Sequence, residues 1–558
     1  MVRIHQLYQI RASHPHQIAA QRLTNTSLLA GRLVPSDLLA CCILVCFGKA
    51  PCPDTLPIGV WRTVLHEEPN IMLQKLGAVS DDPAVLTRTY LSPAHRQAAQ
   101  LLKAWMQAAG MDSWVDAIGN VHGRVEGSLP GPATFTGSHY DTVVDGGKYD
   151  GALGIIAGIA AVKALVLEAA VARGALTREE AARLPVDPAL GTTALPTTLN
   201  ASALLRRSVR VVGFADEEGV RFQSTYLGSR ALAGSLAASG ALDARDGAGV
   251  TLREALAAEG AGDEAALRAL GVAPSAARAY VEVHMEQGPV LEAANSRLAA
   301  VSGIAGQARL GVRLAGSQGH AGTVPMALRR DPLPGAAEVV LALERLCAPG
   351  GGGGAGTGLV CTVGTLALWP GASNVIPGSV QLSMDIRSRS DSEREAKVRE
   401  SVAALEGVCA RRRLDCEWEL RHQAPAVLAD EGVTQALMAA VAASAGLTDA
   451  ILAEGLAPNT PANADGEGAG EEPSHGSPPA GHAPAAGGGA AVAAAAAGPL
   501  VSGAGHDAAE MARLTRMGML FVRCRAGVSH SPLEYVAPDD VAAATAALHA
   551  YLAGEEAA

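Results

Sequence analysis

Apolar segments of strand length alternate with longer segments of helical periodicity over most of this chain. Residues 93–109 place Ala, Leu and Trp at helical spacing, and residues 152–167 are rich in Ala, Ile and Val, so both predict helices. Four apolar runs predict strands: PATFTGSHYD, SVRVVGFADEEG, AYVEVHMEQG and GMLFVRCRAGVSHSP. This alternation favours an α/β fold with helices packed on a sheet.

The pattern changes between residues 306 and 422. Apolar residues alternate with polar or small ones at 310–314 and again at 380–386, as in strands with one polar face. The order of predicted elements is βαββαβ, with helices at 331–346 and 392–408 and strands also at 359–369 and 414–420. We therefore expect a small ferredoxin-like domain inserted into the larger one.

These patterns divide the chain into four parts. Residues 1–53 are basic and then apolar, which is typical of a targeting segment or a poorly ordered leader, so we exclude them from the fold. Residues 54–304 and 423–558 form two parts of one catalytic domain, and 305–422 form the inserted domain. Further insertions are expected at 168–202, 350–358 and 454–500; the last has a low-complexity composition that favours disorder and a loop into solvent.

Composition excludes several classes of protein. A formal net charge of −11 over 558 residues argues against nucleic acid as a partner, because phosphate binding needs a basic surface. No apolar run is expected to be long enough for a membrane span. The nine cysteines contain no CxxC pair, so we predict buried or terminal thiols, with Cys524 in the core, rather than a disulfide framework or zinc site.

Polar residues that can bind metal follow each of the four predicted strands. In open α/β sheets ligands bind at the carboxyl ends of the strands, so these groups are expected to meet in one site. Imidazole and carboxylate together suit a divalent metal such as Mn²⁺ or Zn²⁺. The residues, in strand order, are His139, Asp141 and Asp150; Asp216, Glu217 and Glu218; His284 and Glu286; and His530.

The motifs resemble those of one enzyme family. GSHYDTVVDGGKYDG, FADEEGVRFQSTYLGSRALAG, VEVHMEQGPVLE, GSQGHAGTVPM, SNVIPG, SGAGHDAAEM and GVSHSPLEY are similar, in order and spacing, to M20-type amidohydrolases, and most of all to their plant-type allantoate deiminase branch. The resemblance covers roughly residues 85–558 apart from the insertions. It implies a metal-dependent aminopeptidase-like catalytic domain with an inserted lid or dimerisation domain, and hydrolysis of N-carbamoyl or ureido compounds.

The resemblance also implies a ligand set for two divalent metal ions, with manganese preferred and zinc open. His139 and His284 would bind the first ion, Glu218 and His530 the second, and Asp150 would bridge both. Glu217 would be the general base. Asp141 would orient a ligand imidazole.

Substrate contacts are implied by the same motifs. His320 resembles a histidine of the inserted domain that reaches the active site of a partner subunit, which implies a homodimer. Arg387 and Asn374 resemble anchors for a substrate carboxylate, with Gln307 and Gly505 as further candidates. His506 could face the substrate or be structural.

Three functions stay open at this level. The first is hydrolysis of allantoate to ureidoglycine, ammonia and CO₂; the second is the sister chemistry on ureidoglycolate or N-carbamoyl amino acids, including N-carbamoyl-β-alanine. The third is a metal-free scaffold, whose expected signature, a missing ligand or base, is not found in the motifs. The resemblance and the N-terminal profile suggest the endoplasmic reticulum, with organellar and cytosolic locations also open.

Overall fold

A computed structural model describes residues 56–348, 358–454 and 498–557. The predicted leader at 1–53, nearly all of the glycine run at 350–358 and nearly all of the insertion at 454–500 lie outside the described residues. His475 and His482, within that last insertion, lie outside them as well. The expectations for these segments therefore stay predictions.

We number the elements in chain order. The strands are β1 Asp112–Val115, β2 Val121–Val125, β3 Ala133–His139, β4 Val186–Asp187, β5 Thr192–Thr193, β6 Val209–Phe214, β7 Ala277–Met285, β8 Leu298–Ile304, β9 Gly306–Ala315, β10 Gly319–His320, β11 Val360–Thr362, β12 Leu366–Trp369, β13 Val375–Ile376, β14 Ser379–Ser388, β15 Asp415–Ala424, β16 Val427–Leu428, β17 Leu500–Ser502 and β18 Arg516–Val522. The α-helices are α1 Ile58–Arg62, α2 Glu68–Gly77, α3 Pro93–Ala108, α4 Ala152–Ala172, α5 Arg178–Ala181, α6 Ala201–Leu204, α7 Leu227–Leu232, α8 Leu252–Ala258, α9 Glu264–Arg268, α10 Val290–Ala293, α11 Pro332–Cys347, α12 Asp391–Arg412, α13 Glu431–Glu454, α14 Asp507–Met511 and α15 Pro538–Ala557.

The larger sheet has nine strands in the order β1-β2-β6-β3-β7-β18-β8-β16, with β17 beside β8. Its four middle strands, β6, β3, β7 and β18, run parallel, whereas β1, β2, β8 and β16 pair antiparallel. The four parallel strands are the ones that the apolar runs predict, and each is almost wholly buried. Their carboxyl ends therefore lie along one edge of the sheet.

Helix α4 is the centre of the larger core. It is apolar all round and buried along most of its length, and it packs on β3, β6 and β7. By length and composition both α4 and α13 could cross a membrane, with mean hydropathies of 2.1 and 1.7, which corrects the expectation of no such run. A buried core helix meets the same criterion, and 78% of the apolar window of α4 is buried; for α13, which packs on α15 and α1, the share is 28%.

The segment at 168–202 is joined to the core. The Glu68 carboxylate accepts hydrogen bonds from the Thr193 N–H at 2.6 Å and from Lys163 Nζ, also at 2.6 Å. Both charged groups are almost fully buried, and an ion pair in that position depends on its extra hydrogen bonds to offset desolvation. Part of this predicted insertion is thus a structural element, which links α2, α4 and β5.

A second sheet lies between residues 306 and 424. Its order is β11-β14-β9-β15, with β12 also paired to β14, and all pairs are antiparallel. Helices α11 and α12 cover one face and bury its alternate apolar residues, as the βαββαβ pattern predicts. The strand expected at 359–369 is instead two short strands, because the Thr365 N–H donates to Ser383 Oγ at 3.0 Å rather than to the ladder.

The cysteine prediction is wrong in this sheet. Cys347 and Cys361 form a disulfide between α11 and β11, and Cys409 and Cys416 form another between α12 and β15. The partners are 14 and 7 residues apart, and the fold of helix onto strand brings them together. Cys524 is buried and unpaired, as expected.

Candidate metal centre

The ends of four parallel strands and the loops that follow them bring the predicted ligands together at the carboxyl edge of the larger sheet. His139 is the last residue of β3, His284 lies near the end of β7, Glu218 follows β6 and His530 follows β18. Asp150 lies between β3 and α4, next to Gly151, which has a φ of 65°. A Cβ at Gly151 would lie 2.5 Å from the His139 ring, so only glycine permits the turn that delivers Asp150.

The Asp150 carboxylate is the centre of the cluster. Its Oδ1 lies 3.6 Å from His139 Nε2 and 3.2 Å from His284 Nε2. Its Oδ2 lies 3.3 Å from His530 Nε2, and that nitrogen is also 3.3 Å from Glu218 Oε1. The two oxygens thus face two different sets of donors, as a carboxylate that bridges two metal ions requires.

The donor set fits divalent cations. Ligand atoms of His139, Asp150 and His284 lie within 4.8 Å of one another, and so do those of Asp150, Glu218 and His530. His139 Nδ1 lies 3.2 Å from the Asp141 carbonyl and His284 Nδ1 lies 2.9 Å from the Met285 carbonyl, which fixes both rings with Nε2 towards Asp150. Hydrogen bonds to Asp150 and Glu218 raise the pKa of His530 to about 10, a sign of concentrated negative charge.

Asp141 connects two of the loops. One carboxylate oxygen lies 3.4 Å from His139 Nδ1, and the two oxygens accept the N–H groups of Glu217 at 3.0 Å and Glu218 at 3.2 Å. Burial would raise the pKa of Asp141, but the hydrogen bond and charge of His139 bring it below its ordinary value. This arrangement agrees with the orienting role that we predict for Asp141.

Glu217 lies beside the cluster rather than at its centre. Its carboxylate is within 4.8 Å of ligand atoms of His139 and Glu218. Burial raises the pKa of Glu217 well above its ordinary value; His139 opposes this rise, and Glu218 adds to it. Because a nearby cation favours the ionised form, metal binding would lower that pKa and leave a carboxylate able to accept a proton.

The predicted substrate contacts lie on the second sheet and on one loop. Gln307 of β9 is opposite Arg387 of β14 in the register. Arg387 donates to both oxygens of Asp385, at 2.8 and 2.9 Å, and to the Gly503 carbonyl at 2.7 Å. Asp385, Arg387 and Gly503 line a cavity of about 460 Å³. Gly505 has no space for a side chain, since a Cβ would be 1.8 Å from the Tyr226 hydroxyl.

His320 lies on a separate two-stranded ribbon of β10 and β13, and Asn374 lies in the turn just before β13. His320 is exposed, and its ring accepts a hydrogen bond from the Gly322 N–H. Asn374 is also exposed, and its carbonyl accepts the Ala321 N–H. Among the described residues, His320 does not belong to the groups of clustered ligand atoms. Their predicted roles are not tested within one subunit.

Several residues of the centre carry no signal of their own in the sequence. Gln287, Ser529 and Glu534 contact Asp150 or its backbone, and the motifs contain them, but only the tertiary structure reveals those contacts. His506, which the sequence left open, is buried with its ring centroid 4.5 Å from that of His284 and with Nε2 2.7 Å from Ser502 Oγ. It therefore supports a ligand ring from behind.

Comparison with known proteins agrees with this geometry. The family model described as peptidase family M20/M25/M40 matches residues 189–467. The chain is 40% identical to an allantoate deiminase of Arabidopsis thaliana over 88% of this chain and 82% of that one. It is 33% identical to an N-carbamoyl-L-amino-acid amidohydrolase of a Pseudomonas strain over 87% and 97% of the two chains. A hydantoinase/carbamoylase family amidase structure from Burkholderia multivorans superposes with a TM-score of 0.65 and 25% identity, covering 87% of this chain and 97% of that one.

Proposed function

Because this chain belongs to peptidase family M20/M25/M40, we propose that it is a metal-dependent amidohydrolase that converts allantoate to ureidoglycine, ammonia and CO₂. The observation that carries the proposal is the 40% identity to an allantoate deiminase over most of both chains. The Asp150 cluster supplies the chemical reason, since its donors suit two cations.

The residues divide into a metal-binding set and a proton-transfer group. His139 and His284 would hold one ion, Glu218 and His530 the other, and Asp150 both; oxygen and nitrogen donors support Mn²⁺, with Zn²⁺ as the alternative. Such ions supply a water of lowered pKa and polarise the ureido carbonyl. Glu217 accepts the proton of the attacking water and returns it to the departing nitrogen. Ammonia leaves, and the remaining carbamate loses CO₂.

We assign binding of the substrate carboxylate to Arg387, with Gln307, Asn374 and Gly505 as further predicted contacts. A planar guanidinium suits a carboxylate, as its pairing with Asp385 illustrates. A substrate therefore competes with Asp385 for Arg387 or adds to that pair. The cavity beside Arg387 and Gly503 provides space for a small molecule.

We further assign His320 to the active site of a partner subunit in a homodimer. Its exposure in one subunit supports that role. Strand β15 supports the dimer itself, because it is an edge strand with exposed Trp418 and Leu420. An exposed apolar edge strand pairs readily with a second copy.

The endoplasmic reticulum remains our proposal for the location. Disulfides persist in oxidising compartments and are rare in the cytosol, so the pairs Cys347–Cys361 and Cys409–Cys416 support it. Fractionation of cells that express the full chain would test it. Recovery in the cytosolic fraction with all thiols reduced would contradict the proposal.

A substrate panel tests the function directly. Purified protein is assayed with allantoate, ureidoglycolate, N-carbamoyl-β-alanine and N-carbamoyl-L-amino acids after removal and return of Mn²⁺. We expect the highest kcat/KM with allantoate, with ammonia release that disappears with chelator and returns with metal. A higher kcat/KM with an N-carbamoyl amino acid would overturn the assignment of allantoate and leave the hydrolase class intact.

A further inference from the structure

We infer that Gln287, Ser529 and Glu534 are positioning residues that hold Asp150 in the orientation that two metal ions require, and that they act chiefly on the half of the site formed by Glu218 and His530. The inference rests on the metal-dependent function proposed above. It concerns the side of Asp150 that faces away from His139 and His284.

Apart from the predicted ligand histidines, the side chains that hydrogen-bond to the Asp150 carboxylate all contact Oδ2. Gln287 Nε2 donates to Asp150 Oδ2 at 3.0 Å and to Ser529 Oγ at 2.8 Å, which uses both amide hydrogens. Ser529 Oγ in turn donates to Asp150 Oδ2 at 3.2 Å. The terminal torsion of an aspartate has a broad range, so the carboxylate can rotate. Hydrogen-bond donors on one oxygen therefore set its orientation.

The backbone of Asp150 is held separately. One oxygen of Glu534 accepts the N–H groups of Tyr149 and Asp150, both at 2.8 Å. Glu534 is 4% exposed, and a Cβ at Gly147 would lie 2.3 Å from its carboxylate. The glycine turn before Asp150 therefore closes around the Glu534 carboxylate, and substitution of Gly147 would break that contact.

The two loops that supply these contacts adopt uncommon backbone conformations. Gln287 and His530 have φ values of 56° and 55°, in the left-handed region that side chains other than glycine seldom adopt. Such conformations persist where surrounding contacts over-determine them, and they cluster at functional sites. Gln287 and Ser529, the residue before His530, contact the same carboxylate oxygen of Asp150.

The histidines in the two halves of the site differ in how far their side chains are buried. His139 and His284 have side chains that are 3% and 2% exposed, and backbone carbonyls hold both rings. The His530 side chain is 51% exposed, and it lies beside the oxygen that Gln287 and Ser529 contact. Loss of the positioning contacts should therefore weaken the Glu218–His530 half more than the His139–His284 half.

Titration of metal-free enzyme with Mn²⁺, by calorimetry, tests this asymmetry. We expect two ions per subunit in the wild type. In the double variant Gln287→Met and Ser529→Ala, the first ion should bind within about threefold of wild type and the second about 10- to 100-fold more weakly, as for other residues that orient metal ligands. Gln223→Met is the matched control, because Gln223 also has a left-handed backbone but donates to the Val220 carbonyl.

Glu534 is tested by a conservative pair of variants. Glu534→Gln keeps an oxygen that can accept both N–H groups and should retain two tight ions, whereas Glu534→Leu should lose tight binding of the second ion. If Glu534→Leu does not fold by circular dichroism, the Gln287/Ser529 double variant still decides the question. The inference would be overturned if that variant bound both ions as tightly as the wild type does. It would also be overturned if binding of both ions weakened equally and the Tm fell. A wild type that binds fewer than two ions would instead overturn the proposed function.

Discussion

At the scale of single residues, the site depends on carboxylates with more than one partner. Asp141 contacts His139 from β3 and the N–H groups of Glu217 and Glu218 after β6, so it sets the distance between a ligand and the predicted base. Asp150 divides its two oxygens between two donor sets. The two aspartates therefore have different contacts, which is the basis for the different functions that we predict for them.

The substitution Glu217→Gln separates binding from proton transfer. The amide keeps the size of the side chain but cannot accept the proton, so we expect kcat for ammonia release to fall by about 10²- to 10⁴-fold. Metal content measured by mass spectrometry should stay at the wild-type value. Glu218→Gln is the contrasting variant, in which metal content should fall as well. Undiminished turnover by Glu217→Gln would remove Glu217 from the mechanism.

His95 should make stability depend on pH. Its Nε2 lies 2.6 Å from the Ala215 carbonyl, just before the carboxylates that follow β6, and burial lowers the pKa of His95 from 6.5 to about 4. The folded state thus excludes the charged ring. The contribution of neutral His95 to the free energy of unfolding is present in full above pH 6.5 and is lost as the pH falls towards 4. The loss is about 3 kcal/mol at most.

Urea unfolding between pH 7 and pH 4.5 measures this effect. His95→Gln keeps an N–H donor for the Ala215 carbonyl but does not titrate, so its free energy of unfolding should fall less steeply than that of the wild type. Parallel curves for the two proteins would mean that His95 does not contribute to the pH dependence.

At the scale of elements, parallel strands bring the predicted site residues together, and disulfides link helices to strands in the second sheet. Strands β3, β6, β7 and β18 are neighbours that point the same way, so residues from four distant parts of the chain reach one edge. In the second sheet, each disulfide ties a strand to a helix that packs on the sheet. One of these strands is the edge strand β15.

Removal of the disulfides should destabilise the second sheet. For loops of 14 and 7 residues, restriction of the unfolded chain corresponds to about 3 and about 2 kcal/mol for Cys347–Cys361 and Cys409–Cys416. Replacement of either cysteine pair by two serines should lower the free energy of unfolding by the corresponding amount under oxidising conditions. A reductant should lower the free energy of unfolding of the wild type by both amounts together, and it should have little effect on a variant in which all four cysteines are serine. Insensitivity of the wild type to reductant would contradict this prediction.

At the scale of the whole molecule, the arrangement of the two sheets separates the predicted functions. The predicted metal ligands lie at the carboxyl edge of the larger sheet, whereas Gln307 and Arg387 lie on the second sheet. The hydrogen bond from Arg387 to the Gly503 carbonyl connects the two at the loop before Gly505. A substrate that contacts both parts must fit between them.

The exposed edge of β15 provides the test of assembly. Trp418→Lys with Leu420→Lys places two charges on that edge, which should prevent pairing with a second copy. We expect light scattering to give the monomer mass, with metal content retained and ammonia release strongly reduced, because the partner's His320 would be absent. Met438→Lys, on the exposed side of α13, is the control. A monomer with full activity would contradict the role of His320.

The sequence by itself determined the four apolar strands at the middle of the larger sheet, the βαββαβ order of the second sheet and the polar residues that follow the four strands. It could do so because hydrophobic periodicity is local and because the motifs keep their spacing in the chain. It also contained every predicted ligand that the fold assembles around Asp150, from His139 to His530. A site whose residues directly follow predicted strands can be recognised from the sequence alone.

Only the tertiary structure decided which groups surround those ligands. The contacts of Gln287, Ser529 and Glu534 with Asp150 join residues 137 to 384 positions apart, and no local pattern encodes such distances. The disulfides were missed for the same reason, because helix packing, not spacing, aligns their cysteines. Burial likewise sets the pKa shifts of His95 and Glu217, since desolvation depends on what the folded chain places around a group.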